Sequence, residues 1–426
     1  MKLPFWPTFI GNRDIKLGLD RVYKTLERLD NPHLKIPPTI HLAGTNGKGS
    51  TLSFLKNIFI NSNLKVHSYT SPHLVNFNER IFLANEEISD DFLNECLHEC
   101  KNASEIEPKI ELTFFEATTI TAFLAFSKIK ADILLLETGM GGRLDATNIL
   151  PEVLATIITP ISLDHTEFLG KTLTKIAFEK AGIIKKNCPT FIAKQKLSAL
   201  KTIKEVALKN NSQTTIFGDD FNIIKKAKSF KFVGFKQNLE FKNPTLFGTH
   251  QIDNASLAIA VALSLKEFSI KKEAIDKALE NTIWQARIQP ILAGKFFDKL
   301  TGSQKLYLDG SHNLQGASTI LNFLKSQKKQ KKIVIFAMLS DKDYVKFLTK
   351  LSSEIDLLII TTIKNEPKSI EPKIIENLAQ DLGIKSRIVK DFDEAFLGIK
   401  NEEKAVILIT GSLYQAGSFL EENKNL

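Results

Sequence analysis

Cysteine is scarce in this sequence, which limits the kinds of site that the chain could build. Its 426 residues include three cysteines, Cys96, Cys100 and Cys188. Cys96 and Cys100 are four residues apart in a segment with a helical pattern, so both could face one side of a helix. No second Cys or His pair of suitable spacing lies nearby, so we expect no zinc site. The sparse cysteine favours a protein of the reducing cytoplasm.

Long apolar segments are also missing. No run approaches the roughly 18 uninterrupted apolar residues that a membrane helix needs. Residues 1–14 contain no long apolar core followed by a small-residue cleavage site, as a secretory signal would. We therefore expect neither a membrane association nor a secretory signal.

Arginine is scarce although the chain is basic. Seven arginines and 50 lysines contribute to a formal net charge of +9. A basic chain could bind nucleic acid, but the lysines are scattered and no aromatic motif of an RNA-binding module lies among them. The pattern favours a solvated lysine-rich surface, which would also attract small anionic substrates. Three of the few arginines, Arg80, Arg143 and Arg287, fall inside the motif-like segments discussed below.

The length and the periodicity predict two α/β domains. A chain of this size exceeds what one hydrophobic core usually organises. Short apolar runs alternate with longer helical patterns, which is typical of a mainly parallel sheet. We predict a domain of residues 1–294 and a smaller one of residues 295–426, with a hinge within 284–299. Predicted strands are 39–43, 132–137, 154–160, 305–308, 333–338, 357–362 and 405–410, with antiparallel strands near 230–235; predicted helices are 48–61, 116–129, 173–184 and 251–268.

A glycine-rich segment between a predicted strand and a predicted helix carries the strongest local signal. It reads HLAGTNGKGST over residues 41–51. Glycines let backbone N–H groups turn toward an anion, and a helix N-terminus adds positive partial charge. Lys48 could reach the phosphates of a nucleotide, and Ser50 or Thr51 could offer a hydroxyl to Mg²⁺. The spacing departs from the usual phosphate loop, because Gly49 follows the lysine, so a glycine-rich turn without a ligand remains an alternative for this segment alone.

Three further polar segments follow predicted strands or a helix. Glu137 ends a strand of Ile and Leu, opens ETGMGGRLDATN, and suits a Mg²⁺ site. Arg143 and Asp145 on that loop would lie over the same crevice. His165 follows the next strand, where it could bind a metal or phosphate or be purely structural. Lys180 sits at an otherwise apolar helix end, where a buried lysine needs an anionic partner or a chemical modification.

Taken together, these segments resemble the folylpolyglutamate synthase/dihydrofolate synthase family of the Mur ligase superfamily of ATP-dependent amide ligases. The resemblance covers nearly the whole chain, and its segments occur in the same order. It implies a Mur ligase-like phosphate-loop ATPase domain with a central sheet, followed by a smaller Rossmann-like α/β domain. The matching segments are residues 17–22, 44–51, 69–74, 78–81, 113–116, 137–148, 163–165, 179–183, 248–254, 308–313 and 410–414.

The resemblance also implies roles for individual residues. One Mg²⁺ would be bound by Ser71 and Glu137, and a second by His165 together with a carbamylated Lys180. Nucleotide contacts would come from both domains, with Asp309 and His312 reaching across a cleft. The implied ATP-binding residues are Asn46, Gly47, Lys48, Gly49, Ser50, Asn254, Arg287 and Asp309; those with catalytic roles are Lys48, His165, Lys180, Arg287, Asp309 and His312; those on the pterin side are Phe114, Phe115, Glu116, Leu144 and Asp145.

One departure from the family pattern bears on the second domain. Relatives usually carry a proline-glycine-arginine turn after the tryptophan, whereas this chain has Gln285-Ala286-Arg287 after Trp284. Arg287 is retained, but Ala286 lacks the backbone freedom of glycine.

The resemblance implies ATP-dependent ligation of L-glutamate to 7,8-dihydropteroate, to the glutamate tail of reduced folates, or to both. The reaction would pass through an acyl phosphate and release ADP and phosphate. The expected partners are these small molecules and Mg²⁺, with no nucleic acid and no membrane, and the expected state is a cytoplasmic monomer. Alternatives are a muramyl-peptide ligase of cell-wall synthesis, a basic phosphate-loop NTPase acting as a nucleic-acid-associated switch, and a non-catalytic nucleotide-binding protein.

Overall fold

The computed structural model describes residues 4–7, 18–399 and 404–424. Leu17 and most of residues 1–14, which entered the sequence analysis, lie outside these ranges. The chain forms two compact units. The first unit is Met1–Thr245 with Thr249–Ile283, and the second is Leu246–Gly248 with Trp284–Leu426.

The first unit contains an eight-stranded sheet and a small three-stranded antiparallel sheet. Its strands are β1 (Thr39–Ala43), β2 (Val66–Tyr69), β3 (Ile81–Leu83), β4 (Glu86–Glu87), β5 (Ile133–Glu137), β6 (Ala155–Ile158), β7 (Thr190–Ile192), β8 (Thr214–Ile216), β9 (Phe221–Lys225), β10 (Ser229–Gly234) and β11 (Gln237–Lys242). Its helices are α1 (Asp20–Arg28), α2 (Lys48–Asn61), α3 (Asp90–Glu105), α4 (Phe114–Lys128), α5 (Thr166–Leu169), α6 (Leu173–Ala181), α7 (Leu197–Lys209), α8 (Thr249–Ser264) and α9 (Lys272–Asn281), with 3₁₀ turns at Pro32–Leu34, Phe77–Arg80 and Ala146–Ile149.

The large sheet has the order β4-β3-β2-β5-β1-β6-β7-β8. The strands β2, β5, β1, β6, β7 and β8 run parallel to one another. The central strands β1 and β5 are buried along their whole length, which is why β5 is a run of Ile and Leu rather than an alternating pattern. Helices α2 and α4 are apolar on most sides. Since parallel strands end at one edge of the sheet, the loops after β1, β2, β5 and β6 are brought to a common edge.

The second unit contains a six-stranded sheet of order β12-β13-β17-β14-β15-β16, in which only β12 runs antiparallel to its neighbour. Its strands are β12 (Gln289–Ile291), β13 (Lys305–Leu308), β14 (Lys331–Phe336), β15 (Leu357–Ile360), β16 (Ser386–Ile388) and β17 (Ala405–Thr410). Its helices are α10 (Leu314–Ser326), α11 (Tyr344–Leu351), α12 (Pro372–Asp381), α13 (Phe392–Leu397) and α14 (Leu413–Glu422), with 3₁₀ turns at Phe297–Lys299 and Ser352–Glu354.

The predicted α/β architecture of two parallel-sheet units is confirmed. The strands 39–43, 305–308 and 405–410 and the helix 48–61 have the predicted bounds, and residues 229–234 pair antiparallel. The division between the units falls after Ile283, eleven residues before the expected boundary at 294. The reason is β12, a three-residue edge strand that joins the second sheet. It contains Pro290, so its sequence gives almost no strand signal.

The structure explains the two neighbouring cysteines as core residues. Cys96 and Cys100 lie in α3 and are fully buried in the hydrophobic core of the first unit. Burial raises the pKa of each thiol to about 12, so the reactive thiolate is disfavoured at neutral pH. Among the described residues, no helix combines the length and the apolar character required to span a lipid bilayer.

Candidate functional site

The glycine-rich loop after β1 forms a tight turn into α2. Gly47 is the N-cap of α2 and has φ +86°. A Cβ atom on Gly47 would lie 2.6 Å from Oδ1 of Asn254 on α8, and a Cβ on Gly44 would lie 1.8 Å from Oγ1 of Thr159. The close approach of the backbone to these side chains therefore requires glycine at both positions. The first N–H groups of α2 are presented at this turn, which suits an anion.

Hydrogen bonds tie the glycine-rich loop to the loop after β6. The side chain of Asn46 donates to Oγ of Ser162 at 3.1 Å, and Thr45 Oγ1 donates to the carbonyl of Ser162 at 3.1 Å. The backbone N–H of Thr45 donates to the carbonyl of Pro160 at 3.0 Å. The side chain of Asn254, beside Gly47, donates from Nδ2 to Gln251 Oε1 at 3.0 Å. The loop is thus held on one side by β6 and contacted on the other by α8.

Two lysines point at one carbonyl oxygen inside this loop. Lys48 Nζ donates to the carbonyl of Gly44 at 3.1 Å, and Lys180 Nζ donates to the same oxygen at 2.7 Å. The carboxylate of Glu137, at the end of β5, lies 3.7 Å from Lys48 Nζ. Glu137 and Lys180 are almost completely buried. The structure therefore brings together three of the predicted site residues in a small, poorly hydrated space.

The electrostatics of Lys180 follow from this arrangement. Burial, and next the positive charge of Lys48, lower the pKa of Lys180 to about 7, although Asp164, Asp145 and Glu137 oppose the shift. A lysine whose pKa lies near neutrality is partly an uncharged amine, which is a nucleophile. The site therefore holds, beside Lys48, an amine whose charge depends on its surroundings.

The loop that carries Glu137 is clamped to the helix that carries Lys180. Arg143 donates to the carboxylate of Glu179 through Nε and Nη2, at 3.0–3.3 Å. A Cβ on Gly142 would lie 2.9 Å from the carbonyl oxygens of Glu179 and Lys180. Arg143 thus fastens the loop to α6, whereas the sequence analysis had expected it over the ligand crevice.

Ser71 and His165 occupy the loops after β2 and β6. Tyr69 is paired with Leu136 in the parallel β2–β5 ladder, so Ser71 and Glu137 lie just beyond neighbouring strand ends. His165 has φ +47° and caps the short helix α5, with its side chain 40% exposed. Its Nε2 lies 3.9 Å from the carboxylate of Asp164. Within the described residues, no three His, Cys, Asp or Glu side chains form a metal-binding cluster by themselves.

Among the residues predicted for the pterin side, Phe115 packs on the loop after β5, whereas Phe114 and Glu116 make contacts elsewhere. The Phe115 ring is so close to this loop that a Cβ on Gly139 would lie 2.3 Å from its Cζ. Phe114, at the start of α4, packs edge-on against Phe77. Glu116 is 4% exposed and closes the N-terminal capping box of α4 by accepting from the N–H of Thr113 at 2.9 Å.

Arg21 of α1 completes the surroundings of Glu116. Its Nη2 donates to Glu116 Oε1 at 2.7 Å, and its Nε lies 3.1 Å from both carboxylate oxygens. Glu116 therefore has a clear structural role, joining α1 to α4. The sequence analysis did not foresee this pairing, because no local pattern connects residues 95 apart.

Asp145 is fully enclosed and acts as the anchor of its own loop. One carboxylate oxygen accepts from the backbone N–H of Met140 at 2.7 Å, and the other accepts from the N–H of Thr147 at 3.1 Å and its hydroxyl at 2.6 Å. Burial raises the pKa of Asp145, while these hydrogen bonds oppose the shift. Leu144, the preceding residue, is half-buried.

In the second unit, Asp309 fixes the turn that carries Arg287. One oxygen of Asp309 accepts from the N–H of Ile288 at 3.0 Å, and the other from the N–H of Ser311 at 2.8 Å. Ala286 and Ile288, which flank Arg287, have φ values of +53° and +48°. Both are buried, and such angles are uncommon for Ala and an outlier for a β-branched residue.

His312 lies in the loop between β13 and α10 and is half-buried. The next residue, Asn313, is the N-cap of α10 and accepts from the N–H of Gly316 at 2.9 Å. His312 therefore sits just before the N-terminus of a 13-residue helix, where positive partial charge favours an anion.

Asp164 is the residue of the first unit that the sequence analysis missed. It acts on the charge of Lys180, and its side chain is 16% exposed. The signal was present, since Asp164 lies beside His165 in the segment singled out after β6. The proximity of Asp164 to α6 is a tertiary feature, so the sequence alone gave no reason to choose it.

Comparison with known proteins covers both units. The family described as Mur ligase middle domain matches residues 42–262, and Mur ligase, glutamate ligase domain matches residues 297–413. The chain is 32% identical over 417 residues to dihydrofolate synthase/folylpolyglutamate synthase of Bacillus subtilis, covering 94% of this chain and 93% of that protein.

Two solved structures have a similar fold. One is E. coli FolC in complex with DHPP and ADP, with a TM-score of 0.85 and 28% identity, covering 97% of this chain and 94% of that one. The other is a bifunctional folylpolyglutamate synthase/dihydrofolate synthase with Mn, AMPPNP and L-glutamate bound, with a TM-score of 0.83 and 28% identity, covering 96% of this chain and 94% of that one.

Proposed function

We propose that this chain, which belongs to the dihydrofolate synthase/folylpolyglutamate synthase family of Mur-type ligases, joins L-glutamate to 7,8-dihydropteroate and to the glutamate tail of reduced folates at the expense of ATP. The acceptor carboxylate attacks the γ-phosphorus of ATP, which gives an acyl phosphate and ADP. The α-amine of L-glutamate then attacks the acyl carbon and displaces phosphate, and the amine proton is released.

The observation that carries this proposal is the convergence of Lys48 and Lys180 on the carbonyl of Gly44, with Glu137 3.7 Å from Lys48. Lys180 is buried and the side chain of Lys48 is 15% exposed, so positive charge here is unfavourable unless an anion neutralises it. Phosphate groups of a nucleotide, cradled by the N–H groups at the start of α2, would do so. The resulting transfer of a phosphoryl group depends mainly on positioning and charge neutralisation.

We assign the nucleotide contacts as follows. In the first unit, Lys48 would neutralise the transferring phosphoryl group, while the surrounding backbone holds the other phosphates. Asn254 contacts the loop at Gly47, which supports a place at the nucleotide. The full proposed set of the first unit is Asn46, Gly47, Lys48, Gly49, Ser50 and Asn254; the second unit would contribute Arg287, Asp309 and His312.

A divalent metal together with ATP fits both the residues present and the relative that binds Mn and AMPPNP. We propose Mg²⁺ at two positions, one held by Ser71 and Glu137, the other by His165 and Lys180 in a carbamylated form. The fit rests on the buried carboxylate of Glu137 at the end of β5, because Mg²⁺ prefers oxygen ligands. The neighbouring strand β2 ends just before Ser71. When bound, the metal would neutralise charge on the phosphate oxygens.

The properties of Lys180 support a carbamate. Its pKa of about 7 leaves a substantial uncharged fraction at neutral pH. The lone pair of that amine can attack the carbon of CO₂, forming an N–C bond and releasing one proton. The product is an anion in place of a cation beside Lys48, which would relieve the repulsion between the two lysines.

The acceptor would lie against the loop after β5. Phe115, which packs on Gly139, would offer an aromatic face to a pterin ring. Leu144 and Asp145 belong to the same loop, and Phe114 precedes Phe115 at the start of α4. Glu116 belongs to the proposed set through its hold on Thr113 and the start of α4. DHPP bound to E. coli FolC supports a pterin-bearing acceptor for this chain.

We further propose that the enzyme acts in the cytoplasm as a monomer. The three cysteines are free thiols and all are buried, which fits a reducing compartment.

An ADP-release assay with L-glutamate tests the proposed function. Wild-type protein is expected to release ADP with 7,8-dihydropteroate as acceptor and, in a separate reaction, with tetrahydrofolate, and mass spectrometry should show a product heavier by one glutamyl unit. Release with only one acceptor would restrict the function to that acceptor. ADP release that needs neither acceptor nor glutamate would contradict the proposal.

A further inference from the structure

A histidine interrupts a strand of the first unit that is buried along its whole length. His41 lies in β1, between β5 and β6 at the centre of the eight-stranded sheet, and is 0% exposed. A strand covered on both faces is expected to be apolar throughout. Burial, followed by the charge of Lys185, lowers the pKa of His41 to about 3, so this imidazole is neutral. A polar group in such a place needs a reason, and its hydrogen bond supplies one.

A directed chain of hydrogen bonds leads from His41 to Asp145. Nε2 of His41 lies 2.9 Å from Oγ1 of Thr147, and Oγ1 of Thr147 lies 2.6 Å from Oδ1 of Asp145. The hydroxyl of Thr147 has a single hydrogen, which it donates to the carboxylate. Its oxygen must therefore accept from His41, which fixes the imidazole with its proton on Nε2. All three side chains are at most 4% exposed.

The chain of hydrogen bonds continues from Asp145 to the loop after β5, on which the Phe115 ring packs. The second oxygen of Asp145 accepts from the N–H of Met140 at 2.7 Å. The neighbouring Gly139 is the residue on which the Phe115 ring packs. The backbone of this loop and the carboxylate of Asp145 are thus oriented from below by a side chain of the central strand.

We propose that His41 and Thr147 are positioning residues for the acceptor substrate: by fixing the Asp145 carboxylate, they hold the loop after β5 and the Phe115 ring in the geometry that accepts a pterin-bearing acid. This inference rests on the proposed function, since it concerns the acceptor side of the same site. Neither residue touches the substrate in this scheme. Both act through Asp145.

Other buried polar groups of the same sheet show what a purely structural role looks like. His67 in β2 is equally buried, but its Nε2 bonds to the backbone carbonyl of Ile129 at 2.9 Å, and its Nδ1 accepts from the N–H of Ala84 at 3.0 Å. Thr190 in β7, two strands away from β1, pairs with the hydroxyl of Ser212 at 2.7 Å. These bonds end on backbone or on another hydroxyl, so His67 and Thr190 provide matched controls.

The central test removes one hydroxyl without changing its volume much. Thr147→Val is expected to raise the KM for 7,8-dihydropteroate about tenfold, the loss of one hydrogen bond to a charged group, with the KM for ATP within about twofold of wild type. Thr147→Ser keeps the hydroxyl and is expected to recover most of the acceptor affinity. Thr190→Val removes a buried hydroxyl two strands away from β1 and should leave the KM for dihydropteroate unchanged.

A second pair of variants tests His41, at the other end of the chain of hydrogen bonds. His41→Leu is expected to raise the KM for dihydropteroate severalfold. His67→Leu should lower the melting temperature without changing that KM. Melting curves of all variants are recorded alongside, so that loss of fold is separated from loss of positioning.

Each outcome decides the matter. An unchanged acceptor KM in Thr147→Val, or equal increases for ATP and acceptor, would overturn the positioning role. The same holds if Thr147→Ser behaves like Thr147→Val, or if Thr190→Val matches it. Should Thr147→Val fail to fold, the split between the two KM values in His41→Leu decides instead. Failure of the proposed function itself is recognised separately, because wild type would then show no turnover of dihydropteroate.

Discussion

The two units place charged residues after buried strands in opposite ways. In the first unit, the loop after β1 brings Lys48 and Lys180 to a single carbonyl oxygen and lowers the pKa of Lys180 to about 7. In the second unit, the carboxylate of Asp309 after β13 accepts two backbone N–H groups of its own surroundings. The first loop holds charges that a ligand could neutralise, whereas the second uses its charge to hold a turn.

The charges of the first unit therefore favour the binding of a ligand, whereas the charge of Asp309 in the second unit favours stability of the fold. Positive charge on a buried lysine, Lys180, beside the partly buried Lys48 destabilises the empty protein and strengthens the binding of an anion. A carboxylate saturated by N–H donors stabilises the fold and presents its neighbour, Arg287, in a fixed position. Variants that remove the first kind of charge should therefore affect activity far more than stability, and variants of the second kind should affect both.

The largest expected effect concerns Lys48. Lys48→Ala should lower glutamate-dependent ADP release at least a thousandfold, because the charge that faces the transferring phosphoryl group is lost. The melting temperature should change little, since Lys48 is held by a hydrogen bond of 3.1 Å to Gly44 and a looser approach of 3.7 Å to Glu137. Lys56→Ala, on the same helix but stacked over Phe82, serves as the control and should stay active. Substantial turnover in Lys48→Ala would remove the phosphate-loop assignment.

Variants of Lys180 test whether this lysine acts as a carbamate beside Lys48. Lys180→Ala should reduce turnover roughly a hundredfold by removing a proposed metal ligand, and added acetate or formate should restore part of it if a carbamate is the active form. Turnover is measured by ADP release with and without the added carboxylate.

The control for Lys180 is Lys175→Ala on the exposed face of the same helix, which should keep wild-type turnover. Full activity of Lys180→Ala would exclude any role for this lysine. Loss of activity without recovery in carboxylates would argue against the carbamate while leaving the lysine essential.

Asp309, in the second unit, is expected to contribute to the stability of the fold. Asp309→Ala leaves the N–H groups of Ile288 and Ser311 buried without an acceptor, which should lower the free energy of unfolding by roughly 2–4 kcal/mol. Urea unfolding followed by circular dichroism measures the change. Asp356→Ala also removes an acceptor of a backbone N–H, that of Lys332, but at an exposed site, and should cost well under ~1 kcal/mol. Equal stabilities of the two variants would show that Asp309 does not hold the turn.

The smallest effect is expected at Ala286. Ala286→Gly should stabilise the chain by about 1 kcal/mol, because glycine adopts the observed φ of +53° without steric cost. Ala317→Gly, in the regular helix α10, should instead destabilise it by about 1 kcal/mol. Both are read from urea unfolding midpoints. A destabilised Ala286→Gly would mean that contacts of the buried methyl group outweigh the backbone strain.

The sequence predicted the fold well where the pattern was local. A run of Ile and Leu predicted β5, and a glycine-rich turn before an apolar helix predicted β1 and α2 within the observed bounds. The division after Ile283 lies at the start of the hinge expected within 284–299, and the residues up to 294 join the second unit through β12, a three-residue strand that contains Pro290. Its strand character comes from pairing with β13, which no local pattern records.

The candidate site was predicted in part. Lys48, Glu137 and Lys180 were chosen from the sequence, and the structure brings them together. Arg143 was expected over the crevice but pairs with Glu179 on α6. Glu116 was expected on the pterin side, and its oxygens are engaged by Thr113 and Arg21. In each case the partner lies on another element, and side-chain direction depends on packing that spacing alone does not determine.

By itself, then, the sequence determined the α/β class, the order of the strand-end loops and most of the ionisable residues they carry, because hydrophobic periodicity and glycine placement act over a few residues. Only the tertiary structure decided which of those residues meet. The shared carbonyl of Gly44 and the chain from His41 through Thr147 to Asp145 arise from strands that are distant in the sequence and adjacent in the sheet. Their charges and hydrogen bonds depend on that adjacency and on the exclusion of water, which no single segment can specify.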